Sequence, residues 1–164
     1  MPLELLKTIL LSRESAPSIM PSFQFWQRWL QGVCVLVIAL GLFMAFLIGL
    51  VVFSALSGPI DDAFFEDDLT DAEKDFQAWA YGVWGATMVG WGIVLYFVVR
   101  GPFAKKEPWS WRAIGLGVLA WFAIDTGFSA YHGVTINVLV NIAVLVLAFI
   151  PLAATYGELR PASA

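Results

Sequence analysis

Cysteine and histidine are almost missing from this chain, which carries one of each, Cys34 and His132. A lone cysteine cannot close an internal disulfide, so a thiol–disulfide relay built on paired cysteines is excluded. A lone histidine likewise excludes a bis-histidine haem within one subunit. There is no HExxH zinc motif, no phosphate-binding glycine loop and no nucleophile–base pair at a recognisable spacing. Charge is scarce as well: 13% of the 164 residues, where a soluble domain carries about a quarter. A chain that is 60% hydrophobic, with mean hydropathy +0.79, has too little polar surface for water.

What is present is four long apolar runs, at 29–56, 76–99, 113–131 and 134–156. Crossing a bilayer takes roughly 20 apolar residues in a helix. Backbone amides in lipid must be satisfied within the segment, so runs this long read as helices. The alternating pattern of a membrane barrel strand is absent. The expected fold is an all-α integral membrane protein, a compact four-transmembrane-helix bundle forming one domain over 29–156.

The cations set its expected orientation. Lys7, Arg13 and Arg28 precede the first run, Arg100, Lys105, Lys106 and Arg112 surround the 100–112 loop, and Arg160 follows the fourth run. Lys74 alone lies in the first loop, among Asp61, Asp62, Glu66, Asp67, Asp68, Asp71, Glu73 and Asp75. The positive-inside rule then puts the 1–28 segment, the 100–112 loop and the 157–164 tail in the cytoplasm, with both termini inside. The acidic 57–75 loop and the turn at Gly133 face outward. Trp26, Trp29, Trp109 and Trp111 fall at the inner interface and Trp79 and Tyr131 near the outer one, where amphipathic rings are favoured. Residues 1–19 fit either an interfacial amphipathic helix or an upstream extension of a chain that starts at Met20.

In the outer loop, Gly58–Pro59 breaks the first helix, because proline cannot continue the hydrogen-bond ladder. Thr70 and Glu73 have the spacing of a capping box, which starts the second helix near Asp71. The acids lack the alternating Asp/Asn and Gly spacing of an EF-hand, so no metal site is expected from them. They read as a solvated face that enforces topology.

Small residues recur every four positions at Ala78, Gly82, Ala86 and Gly90, and again at Gly41, Ala45 and Gly49. Such stripes let helices approach closely in lipid. They serve packing within the bundle or, for one stripe, a homodimer.

A polar constellation occupies the last two runs. Asp125 and Asn141 lie eight residues either side of Gly133, and Ser129 and Asn137 four either side. In a regular antiparallel hairpin each pair shares a level, with Asp125 roughly 10 Å below the outer end. Trp121, Asp125, Ser129 and His132 share one helical face, as do Asn137 and Asn141, and Trp84 falls near the Asp125 level. A charge facing lipid is costly, so Asp125 is expected to point inward. These residues form either a hydrogen-bonded clasp between the last two helices or a ligand site. Pro151 is expected to bend or end the fourth helix.

The run Trp121-Phe-Ala-Ile-Asp125-Thr-Gly-Phe-Ser129, followed by Asn137, Asn141 and Pro151-Leu152, resembles a pattern in small bacterial four-span membrane proteins of no assigned activity. The resemblance covers mainly the last third and implies the same bundle architecture and an inner-membrane location. In size alone the chain is similar to the DoxX-like four-span group. The expected function is a non-enzymatic bundle that supports a membrane-protein partner or binds lipid or a small apolar ligand. It needs no cofactor and no nucleic acid. The alternatives are a proton- or cation-coupled transporter working through Asp125 as an oligomer and, more remotely, an integral-membrane enzyme.

Overall fold

The computed structural model describes residues 21–47 and 57–159. Gly49, the segment before Pro21 and the tail after Leu159 lie outside the described residues. Within them the protein is all-helical, and four helices are long and apolar enough to cross a membrane.

Helix α1 covers Phe23–Phe46. It begins before the apolar run does, because Ser22 is extended and its hydroxyl accepts from the Phe25 amide at 3.4 Å. The polar residues Gln24, Gln27 and Arg28 interrupt the hydropathy but not the hydrogen-bond ladder. After a helical turn at 57–61, helix α2 runs from Asp71 to Val98. Its capping box is formed as expected: the Glu73 amide donates to the Thr70 hydroxyl at 3.4 Å, and the Thr70 amide donates back to the Glu73 carboxylate at 2.7 Å. The helix continues as a π-helical turn, Val99–Phe103, which contains Pro102. The wider turn accommodates a residue that has no N–H to give.

Helix α3 covers Pro108–Tyr131, five residues ahead of the apolar run that announces it. Proline suits the first helical position, where its missing donor costs nothing. The turn before it is closed by Lys106 at φ 59°. Helix α4 covers Thr135–Thr155 and ends in a 3₁₀ turn, Tyr156–Glu158.

The α3–α4 connection is a Schellman turn. The Gly133 amide donates to the Ala130 carbonyl at 3.3 Å and the Val134 amide to the Ser129 carbonyl at 2.8 Å. Gly133 sits at φ +77°, the left-handed conformation that this closure needs and that glycine adopts without penalty.

Among the described residues, helices α1 and α2 pack most closely. A Cβ on Gly41 would lie 2.6 Å from the Gly85 carbonyl oxygen, and one on Gly85 would overlap the Gly41 carbonyl. Ala45 and Gly92 belong to the same seam, Gly92 fitting under Ile38. The α2 stripe read from the sequence therefore differs from the one that packs. Gly82 and Gly90 have nothing within 4 Å of a Cβ position, and Ala78 and Ala86 are exposed. Two registers of small residues coexist on α2, and only contact with α1 distinguishes them.

Helices α3 and α4 pair as a hairpin, and α4 also lies against α1. At the end carrying the α2–α3 connection the helices close on a solid core of Leu30, Cys34, Val99, Phe103, Ile114, Val118, Ala148, Leu152 and Leu159. Phe23 stacks on Phe103 at 5.4 Å between ring centres, and the Lys106 ammonium sits 4.9 Å above Phe23 while pairing with Glu158. Outward-facing side chains are apolar: Leu116, Ile124 and Phe128 on α3 are 68%, 64% and 67% exposed. Such exposure opposes stability in water and costs nothing in lipid, which is as apolar as leucine.

Pro151 remains inside α4. It has no amide hydrogen for the carbonyl of Leu147, four residues earlier, and the Trp29 indole N–H of α1 fills that vacancy at 2.9 Å. The Trp111 indole N–H similarly reaches the Leu152 carbonyl at 2.8 Å. Both tryptophans, read from sequence as interfacial anchors, tie their helices to α4, Trp29 at the carbonyl that Pro151 leaves without a donor and Trp111 at the C-terminal end of α4.

Candidate functional site

Toward the Gly133 end the α1–α2 pair and the α3–α4 hairpin leave a cavity of about 440 Å³ between them. The short Schellman turn puts the two i, i+4 pairs of the hairpin at matching levels, so their polar groups meet between α3 and α4. The Asn137 amide donates to Oδ1 of Asp125 at 2.6 Å and to the Ser129 hydroxyl at 2.7 Å. The Asn141 amide donates to the same Oδ1 at 2.8 Å and to the Thr126 hydroxyl at 3.2 Å. The Ser129 hydroxyl has one hydrogen, directed mainly at the Asp125 carbonyl at 2.8 Å, with Oδ1 at 3.3 Å. Each amide thus spends both N–H groups within the cluster, and Asn141 and Ser129 are buried.

The other carboxylate oxygen, Oδ2, receives no hydrogen bond among the described residues. No buried side-chain oxygen or nitrogen among the described residues lacks a partner, so Oδ2 is not sealed off, and Asp125 is one of the residues on the cavity wall. The rest of the lining is mainly apolar and aromatic, with aliphatic hydroxyls only at Thr87 of α2 and Ser57 among the described residues. Val37, Leu40, Phe43 and Met44 come from α1, Tyr81, Trp84, Met88 and Trp91 from α2, Gly117 and Trp121 from α3, and Ile136, Val140 and Val144 from α4. Tyr81 and Trp84 stack at 6.2 Å, and Trp91 meets Trp121 at 6.1 Å across the gap between α2 and α3. The backbones of α2 and α3 make no approach comparable to that of α1 and α2. Asp125 is the one formally charged residue among those described around the cavity.

The segment after residue 57 lies over the Gly133 end of the helices. Ser57 and Ile60 line the cavity there. Asp61 accepts a hydrogen bond from the Gln77 amide of α2, and Phe64 packs on His132 at 5.3 Å between rings. The segment therefore bridges α2 and the α3–α4 turn. Partial burial pushes the Asp61 carboxyl above its ordinary range, opposed by hydrogen bonds from Ser57 and Gln77 and reinforced by neighbouring Asp62. Among the described residues, no three His, Cys, Asp or Glu side chains converge as a metal site would require.

Of the residues singled out from sequence, Asp125, Ser129, Asn137 and Asn141 come together in one hydrogen-bonded cluster. Trp84 and Trp121 line the cavity, but neither indole donates to Asp125. His132 lies apart, at the end of α3 between Phe64 and Tyr131. Sequence reasoning missed Thr126, Tyr81 and Trp91. Thr126 was accessible in principle, since a hydroxyl adjacent to a membrane acid is a natural partner for a facing amide. Tyr81 and Trp91 carried no signal that separates a cavity wall from an interfacial aromatic.

In comparisons with known proteins no family model matches this chain, and no curated protein or solved structure matches it either.

Proposed function

We propose that this chain is a multi-pass protein of a bacterial inner membrane, a four-helix bundle with both termini in the cytoplasm, and that it binds a small, largely apolar ligand in its central cavity. The distribution of cations supports the orientation. The observation that carries the binding reading is an aromatic-lined cavity of about 440 Å³ with one carboxylate on its wall. Its volume falls in the range of small-molecule sites, and an apolar enclosure with a few converging polar groups is their usual chemistry. The Asp125 cluster orients the polar end of the ligand, while the aromatic and aliphatic side chains hold its body. The described lining presents no nucleophile with an activating base, so binding without chemistry accounts for these residues most simply.

Association with a second copy or another membrane protein would use the outer face of α2, at Gly82 and Gly90. Gly41, Ala45, Gly85 and Gly92 are already occupied within the chain. Coupled transport of a proton or cation is a second reading, favoured specifically by the open Oδ2 of Asp125.

Native mass spectrometry of the protein released from nanodiscs tests the binding reading. A defined mass adduct is expected, and it should disappear when Val140→Trp fills the cavity. Bare protein throughout, or an adduct indifferent to Val140→Trp, would refute it.

A further inference from the structure

We infer that the ligand is a compact amphiphilic cation, an organic ammonium carried on an apolar body, whose charge pairs with Oδ2 of Asp125. This rests on the cavity being a ligand site and adds the charge of what enters it. Three features support the charge. First, the hydrogen-bond donors reaching the Asp125 side chain all converge on Oδ1, from Asn137, Asn141 and Ser129. Oδ2 is left without a donor on a residue that lines a mainly apolar cavity, where a carboxylate oxygen bears a desolvation cost that a cation offsets and an anion aggravates. No lysine or arginine lines the cavity among the described residues. The two ion pairs among the described residues, Lys74 with Asp71 and Lys106 with Glu158, lie elsewhere.

Second, the walls suit a cation as well as an apolar body. Tyr81, Trp84, Trp91 and Trp121 surround the same space, and the negative faces of indole and phenol rings attract quaternary or primary ammonium groups. A pure hydrocarbon would use these rings as apolar surface only and leave Oδ2 unpaired. Third, the approach is biased. Asp61, Asp62, Glu66, Asp67, Asp68, Asp71, Glu73 and Asp75 face a single Lys74 in the outer segment. That segment covers the cavity through Ser57 and Ile60. A field of one sign at a cleft raises the local concentration of oppositely charged ligands.

The test uses the full chain in phosphatidylcholine nanodiscs, with empty nanodiscs as the control for partition into lipid. The probes are benzyltrimethylammonium and its uncharged carbon isostere, neopentylbenzene, which differ in charge and hardly in shape. Equilibrium dialysis should show saturable binding of the cation, on the order of ten-fold tighter than the isostere, as expected for a desolvated carboxylate flanked by aromatic faces. Asp125→Asn should abolish that preference, so that the two probes bind alike. Equal or tighter binding of neopentylbenzene would overturn the cation inference and leave the cavity reading standing. Saturable binding of neither probe would overturn both. A preference for the cation that survives Asp125→Asn would remove Asp125 as its origin. If Asp125→Asn fails to fold, the wild-type comparison of the two probes still decides the sign of the ligand.

Discussion

Replacing Asp125 by leucine tests the polar cluster where its arithmetic is clearest. The side chain accepts two interhelical hydrogen bonds, from Asn137 at 2.6 Å and Asn141 at 2.8 Å. Interhelical hydrogen bonds in membranes average about 0.6 kcal/mol and reach about 1.7, so the pair contributes about 1 to 3 kcal/mol. Asn141 is 3% exposed and cannot turn to water, although Thr126 still accepts from it. Its partial orphaning pushes the loss toward the upper end of that range. Asp125→Asn keeps an acceptor oxygen at the same place and should lose less than about 1 kcal/mol, within the spread of a single such bond. Equilibrium unfolding in mixed micelles reads both values. A double-mutant cycle with Asn137→Leu isolates one bond, with a coupling of about 0.6 to 1.7 kcal/mol expected. If the leucine variant matches wild type, or the asparagine variant falls as far as the leucine one, the cluster does not join α3 to α4 energetically. The reasoning would then fail.

Other outcomes follow from the same geometry. Gly85→Leu should separate α1 from α2 and cost several kcal/mol, on the order of severe overpacking, while Gly82→Leu, with open space around it, should leave unfolding of the single chain nearly unchanged. Trp29→Phe should lose about 1 kcal/mol by stranding the Leu147 carbonyl. Pro151→Ala should reduce that loss, because Ala at 151 can donate to the same carbonyl. Thr70→Ala should cost about 1 kcal/mol by removing the α2 cap. Glu73 is held below the ordinary carboxyl range by the Thr70 hydroxyl and amide. Its contribution is therefore present above the ordinary glutamate value and lost as pH falls through the lowered one. Asp61 has the opposite sign. Its carboxyl is raised mainly by burial, so its contribution is complete below the ordinary aspartate value and fades as pH rises through the raised one. Asp61→Asn should therefore raise Tm at neutral pH and match wild type in acid. A uniform shift at all pH values would refute this.

The four membrane-length helices were legible because lipid imposes one rule, that every backbone amide be satisfied within its own segment. The long apolar runs obey it visibly. Thr70 and Glu73 announced the start of α2, and Gly133 the α3–α4 turn, because caps and left-handed closures are made by neighbouring residues. For the same reason Asp125, Ser129, Asn137 and Asn141 could be placed at common levels by counting from Gly133. Contacts between helices distant in the chain were not legible in this way. The small residues of α2 form two stripes, and only the position of α1 selects Gly85 and Gly92 over Gly82 and Gly90. Trp29 carries no mark of the carbonyl that Pro151 frees on another helix. The cavity is less legible still, since it is space left between α1, α2 and the hairpin rather than a property of any residue. Local hydrogen bonding and the bilayer's demand on the backbone are written along the chain. Which faces meet, and what they leave open, depends on how four helices share one volume.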